Sequence, residues 1–95
     1  MAAFSFDTDA AVTTYTRAWV KPVGANALFP TFMNNTELVL PSVPVGSQLT
    51  AIVLQFRTDG LYFGTQTAAT QVNITPHVAL TRLSEAEILQ RIRSL

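Results

Sequence analysis

The sequence contains no cysteine, a single histidine and few charged residues. Without cysteine the chain can form neither a disulfide nor a thiolate metal site, so the redox compartment cannot be inferred from it. One histidine without cysteine also excludes a zinc site built from those two residue types. We therefore expect the protein to bind no metal ion and no cofactor.

Charged side chains make up only 13% of the 95 residues, whereas hydrophobic residues make up 48%. An ordinary globular protein has roughly 25% charged residues. So few charges cannot cover a domain in the usual way, so either neutral polar residues cover the surface or contacts with other subunits bury much of it. We favour a mixture of both, with assembly as the larger part. The composition therefore favours a protein that assembles.

The six basic and six acidic side chains cancel to a formal net charge of zero. Nucleic-acid binding depends on clustered lysine and arginine, and without such a cluster we expect no nucleic-acid partner. No apolar run approaches the roughly 18 residues of a membrane span, and the start MAAFSFDTDA lacks the basic region and long apolar run of a signal peptide. These features predict a protein made in the cytoplasm without a membrane span.

Residues 1–82 are predicted to form one β domain. The alternation in AAFSF places Phe4 and Phe6 on one side of an extended N-terminal arm over residues 1–8. AVTTYTRAWV is predicted to be a strand with Tyr15, Arg17 and Trp19 on one face. Both faces of this strand carry side chains suited to burial.

The run QLTAIVLQF is nearly continuously apolar, as expected of a central strand covered on both faces. Asp59 and Gly60 then predict a hairpin with a tight primed turn, because glycine adopts positive φ at little cost. TELVL is predicted to be a short strand, and VNIT, Pro76 and HVALTRL one last strand or two short ones. KPVGANALFPTFMNN is predicted to be irregular. The fold class is all-β, a small antiparallel sandwich or barrel of about five to seven strands.

Residues 83–95 are predicted to form a C-terminal amphipathic helix. Ser84 and Glu87 have the spacing of a capping box. An apolar stripe runs along the helix and consists of Ile88, Leu89, Ile92 and Leu95. About eleven residues is below the length at which an isolated helix is even marginally stable in water. The stripe must therefore dock, either on the chain's own sheet or on a neighbouring subunit.

His77 is the only histidine that could act as a general base. It would need a carboxylate partner, and the spacing selects none of the four candidates, which are Asp7, Asp9, Glu37 and Asp59. A structural role at the start of a strand is therefore favoured. Asp7 and Asp9 lack the spacing of a calcium loop, and glycine-rich phosphate loops and nucleophile elbows are absent. We expect no enzymatic activity.

These features predict a structural subunit of a larger symmetric assembly, with other copies of itself and other structural proteins as partners. In composition and architecture, without a shared motif, the chain resembles small virion proteins such as phage capsid decoration, connector or tail proteins. The predicted localisation is then the virion. The predicted interface residues are Phe4, Phe6, Tyr15, Trp19, Ile88, Leu89, Ile92 and Leu95. The alternative is a small carbohydrate-binding or receptor-binding module that presents Tyr15, Trp19 or Tyr62.

Overall fold

A computed structural model describes residues 2–40, 44–70 and 75–95. Over these residues the chain forms nine β-strands and one short C-terminal helix, with the strands in two packed sheets. This arrangement confirms the predicted all-β sandwich with a C-terminal helix. Five of the strands contain only two or three residues, which explains why their number exceeds five to seven.

The two sheets are built from strands that are distant in the sequence. The strands are β1 (Ala2–Phe6), β2 (Thr13–Pro22), β3 (Phe29–Pro30), β4 (Phe32–Asn34), β5 (Glu37–Val39), β6 (Gln48–Arg57), β7 (Gly60–Ala69), β8 (His77–Val78) and β9 (Thr81–Leu83), and the helix is α1 (Glu85–Arg93). Sheet A has the order β4-β5-β1-β8, and sheet B has the order β3-β2-β6-β7-β9. Within the described ranges, β1 and β8 pair in parallel and the other neighbours pair antiparallel.

The main core lies between the sheets, because alternate side chains of each strand point inward. Its buried members are Phe4, Phe6, Leu38, Leu40 and Val78 from sheet A and its flanks, and Ala18, Val20, Leu49, Ala51 and Val53 from sheet B. Strand β6 also buries Ile52 on its opposite face, so its prediction as a central strand covered on both faces is confirmed.

The prediction that Phe4 and Phe6 lie on an extended N-terminal arm was wrong. Strand β1 lies inside sheet A between β5 and β8, and Phe4 and Phe6 are only 1% and 3% exposed. Burying a phenylalanine side chain stabilises a fold by about 1.5–3 kcal/mol relative to leaving it in water, so both rings pack in the chain's own core. They are therefore not available to a neighbouring subunit.

The hairpin between β6 and β7 forms as predicted, but its turn is not primed. Arg57 pairs with Gly60 across two turn residues, Thr58 and Asp59, and neither of these has a positive φ. The positive φ, 145°, belongs to Gly60, the first residue of β7. The glycine is therefore needed one position later than a primed turn requires.

The stretch predicted to be irregular contains β3 and β4. Strand β4 forms a tight hairpin with β5, and Asn35 in its turn has a φ of 57°, a conformation that asparagine tolerates better than most residues. In the last predicted strand region, residues 71–74 lie outside the described residues. After Pro76 the chain forms two short strands, β8 and β9, of which β8 pairs in sheet A and β9 in sheet B.

Candidate functional site

Helix α1 docks on the outer face of sheet B, the face turned away from the main core. Ile88 is 5% exposed and forms a second core with Ile52 of β6 and Phe63 of β7. Partly buried side chains surround this core: Trp19, Leu54, Leu61 and Leu83. The helix therefore packs on its own sheet through Ile88.

The start of α1 is held by the predicted capping box. The Ser84 hydroxyl accepts a hydrogen bond from the Glu87 N–H at 3.2 Å, and the Ser84 N–H donates to Glu87 Oε1 at 3.1 Å. The hydrogen bond from the Ser84 backbone, followed by that from its side chain, lowers the pKa of the Glu87 carboxyl below its ordinary value. These bonds begin the helix at one defined residue, so the direction of its apolar stripe is defined as well.

The rest of the apolar stripe is only partly covered by the chain's own residues. Leu89 is 48% exposed, Ile92 39% and Leu95 40%. Docking on the chain's own sheet therefore buries Ile88 fully and the other three residues only in part. Part of each of these three side chains is left open to contact with another molecule.

The aromatic residues of β2 lie on this same outer face. Tyr15 is 48% exposed, and its ring centroid lies 5.9 Å from that of Phe56 on β6. The Arg17 guanidinium lies 5.1 Å from the centroid of the Tyr15 ring, close enough for a cation–π contact. Together with Trp19 and Leu54 these three residues line a hollow of about 430 Å³. Trp19 also packs against the second core, so only part of its ring is available to a partner.

A second hollow separates the sheet from the helix. Its volume is about 460 Å³, and its lining residues are Leu54, Phe56, Leu61, Glu85, Ile88, Leu89 and Ile92. The two hollows share Leu54 and Phe56, so they lie side by side on the outer face of sheet B. We call their combined surface the apolar groove and define it by Tyr15, Leu54, Phe56, Leu61, Leu89 and Ile92. Contiguous apolar surfaces of this kind typically mark contacts with other molecules.

Sequence reasoning identified half of the groove. Tyr15, Leu89 and Ile92 were predicted interface residues, whereas Leu54, Phe56 and Leu61 were not. A signal for the missing residues exists in the sequence, because Leu54, Phe56 and Ile52 alternate along β6 and must share one face. That a nine-residue helix covers only part of this face follows from the tertiary structure alone.

A polar cluster lies on the outer face of sheet A. The parallel pairing of β1 and β8 places Ser5 opposite His77, and the Ser5 hydroxyl lies 3.0 Å from His77 Nδ1. His77 Nε2 lies 3.1 Å from Asp7 Oδ1. Of the four carboxylates that the sequence offers as partners of His77, the structure therefore places Asp7 beside it. The His77 and Asp7 side chains are 49% and 67% exposed.

The Ser5–His77 hydrogen bond and the Asp7–His77 contact link the end of β1 to the start of β8. An acyl-transfer site would also need donors aimed at a developing oxyanion and a setting that limits access of water. Side chains this open to solvent fit a structural link better. In the part of the chain that the structure describes, no three histidine, cysteine, aspartate or glutamate side chains lie close enough together to hold a metal ion.

Tyr62 is occupied by contacts within the β6–β7 hairpin. Its hydroxyl donates a hydrogen bond to Asp59 Oδ2 at 2.8 Å, and this bond raises the pKa of the phenol above its ordinary value. The Arg57 guanidinium lies 4.0 Å from the centre of the ring. Arg57 therefore covers one face of the Tyr62 ring, and Asp59 engages its hydroxyl.

In comparisons with known proteins, no family model, no curated protein and no solved structure matches this chain. Among the described residues, no helix is long and apolar enough to cross a membrane. The apolar groove is therefore the feature from which a function can be inferred.

Proposed function

We propose that the chain is a structural subunit of a larger symmetric assembly and that its apolar groove packs against another subunit. The observation that carries this proposal is the extent of the groove across a helix and three strands, β2, β6 and β7. Its exposed members include Tyr15 at 48%, Phe56 at 37% and Leu89 at 48%. Apolar area left in water costs about 25 cal/mol per Å² relative to its burial, so covering the groove stabilises a complex.

The low charge of the whole chain supports the same proposal. Charged residues make up 13% of the sequence, and the formal net charge is zero. A protein with no net charge has little long-range repulsion between copies, which favours association. Charged residues are also depleted in the centres of protein interfaces.

We further infer that the assembly is a virus particle, with the chain in the role of a small capsid decoration, connector or tail protein. The support is the resemblance in composition and architecture: a small β-sandwich with few charges and an exposed apolar groove. Such a subunit acts through contacts with copies of itself and with neighbouring structural proteins. On this proposal its location is the virion after assembly in the host cytoplasm.

The proposal is tested by the native mass of the protein. We expect size-exclusion chromatography with light scattering to show an oligomer, or a complex with another structural protein, at micromolar concentration. Phe56→Asp places a charge at the centre of the groove and should release monomers with an unchanged far-UV circular dichroism spectrum. Val45→Asp is the matched control, because Val45 is 69% exposed and does not line the groove. A stable monomer recovered without any partner would contradict the proposal.

The second candidate function is carbohydrate binding, and the hollow beside Tyr15 is the observation that favours it. The exposed ring of Tyr15 can stack on a sugar ring. The Arg17 guanidinium beside it can donate hydrogen bonds to the sugar hydroxyls. Tyr15→Ala tests this function more cleanly than Trp19→Ala, because Trp19 also packs against the second core. Selective binding on a glycan array that disappears in Tyr15→Ala would favour this candidate, and the absence of binding would favour the structural subunit.

A further inference from the structure

The exposed side of α1 combines apolar residues with an asymmetric distribution of charge. Leu89 and Ile92 form one wall of the apolar groove and remain 48% and 39% exposed. The first turn of the helix carries Glu85 and Glu87, and the last turn carries Arg91 and Arg93. The helix is therefore acidic at its start and basic at its end.

This distribution makes α1 complementary to itself in one orientation only. Two parallel copies would place acidic turn against acidic turn and basic turn against basic turn. Two antiparallel copies related by a two-fold axis would place the acidic turn of each helix beside the basic turn of the other. Leu89 is midway between Glu85 and Arg93, so it would lie at the axis and face its own copy.

We propose that the occupant of the apolar groove is a second copy of the chain, with the two α1 helices packed antiparallel across a two-fold axis centred at Leu89. This inference rests on the proposed function and names the partner of the same surface. Ile88 keeps each helix on its own sheet, while Leu89 and Ile92 contact the partner copy.

The helices cannot form this interface alone. Nine helical residues span only about 14 Å. A stable interface buries about 800 Å² per partner, roughly a seventh of the 5829 Å² surface of this chain. The exposed corner of sheet B, with Tyr15 and Phe56, adjoins the helix wall and supplies further apolar area. The two-fold contact therefore includes the sheet corner as well as the helix.

Cysteine cross-linking tests the position of the axis. The chain has no cysteine of its own, so a single introduced cysteine reports on one position. In two helices packed 8–10 Å apart, facing Cα atoms come within the separation that a disulfide spans. Leu89→Cys should therefore form a covalent dimer under mild oxidation at micromolar concentration. Asn34→Cys, an exposed position in sheet A, is the control and should remain largely uncross-linked.

Charge reversal tests the orientation. Glu85→Arg alone places arginine beside the partner's Arg93 at both ends of the interface and should raise the dimer dissociation constant about tenfold. The double variant Glu85→Arg/Arg93→Glu restores opposite charges across the antiparallel interface and should recover most of this loss. Both substitutions of the double variant oppose the helix dipole and so weaken the helix. A recovery of dimer affinity can therefore not come from a more stable helix. In a parallel pair, Glu85→Arg would only exchange one repulsion for another.

The outcomes separate this inference from the proposed function. Cross-linking of Leu89→Cys together with the loss and recovery by charge reversal supports the antiparallel two-fold contact. An oligomer or complex in which Leu89→Cys cross-links no faster than Asn34→Cys overturns the contact and leaves the structural role standing. A monomer without a partner overturns both. A dimer that is indifferent to Glu85→Arg overturns the antiparallel orientation.

Discussion

Two isoleucines one turn apart on α1 are predicted to differ sharply in their contribution to stability. Ile88 is 5% exposed within the second core, whereas Ile92 is 39% exposed. Truncation of a buried isoleucine to alanine costs about 2–5 kcal/mol, and a site beneath a docked helix can partly collapse, so we expect about 2–3 kcal/mol for Ile88→Ala. For Ile92→Ala in the isolated chain we expect less than about 1 kcal/mol.

Urea unfolding measures both values. Trp19 packs against the second core, so its fluorescence reports directly on the packing of α1 against sheet B. With a slope of about 1–3 kcal/mol per M, Ile88→Ala should lower the urea midpoint by about 1–2 M and Ile92→Ala by about 0.5 M or less. The measurements need several protein concentrations, because subunit association adds stability that depends on concentration.

The concentration dependence decides between the two roles of the helix. If Ile92 contacts a partner, the cost of Ile92→Ala should grow as the protein concentration rises, while that of Ile88→Ala changes less. Equal costs for the two substitutions at the lowest concentration would refute this reasoning. The whole apolar stripe of α1 would then pack against the chain's own sheet.

Three further substitutions test features of the sandwich. Gly64→Ala should destabilise the domain by about 1–3 kcal/mol, because the new Cβ would overlap the Ala79 carbonyl group and lie 3.1 Å from Leu80 Cδ2; an unchanged thermal midpoint would contradict this. Gln55→Ala should lower the free energy of unfolding in urea by about 2–3 kcal/mol, because the fully buried side chain donates a hydrogen bond to the Asp7 carbonyl and accepts one from Arg57. A loss below about 1 kcal/mol would show that these bonds are dispensable. The lowered pKa of Glu87 means that its carboxylate stabilises the helix above the ordinary glutamate pKa of about 4.3 and loses this effect as the pH falls through its folded value. Acid should therefore reduce the helical circular dichroism of the wild type more than that of Glu87→Gln, and equal losses would exclude Glu87 as the cause.

The parts of the fold that depend on local pattern were predictable from the sequence. Alternation along β2 correctly places Tyr15 and Trp19 on one face of the strand and Ala18 and Val20 on the other. The spacing of Ser84 and Glu87 correctly predicts where the helix begins. These features need only neighbouring residues to be read together. They also identify half of the apolar groove.

Features that depend on distant partners were not predictable in this way. Nothing in AAFSF indicates that β5 and β8 will pair on its two sides, so the same alternation fits a free arm and an inner strand equally well. The apolar run of β6 predicts cover on both faces but not the limited reach of α1, which leaves Phe56 at its far end exposed. The contact between Asp7 and His77 likewise depends on a parallel pairing that no local signal encodes.

The place of β1 inside sheet A has a consequence for synthesis on the ribosome. Ser5 is made 72 positions before its neighbour His77. Sheet B is held largely by contacts between β2, β6 and the adjacent β7 hairpin, so it can pair earlier, with Leu49, Ala51 and Val53 still uncovered. Such long-range pairing is slow, and uncovered apolar surface invites aggregation in the interval. A truncated product that ends before residue 77 would remain in that exposed state.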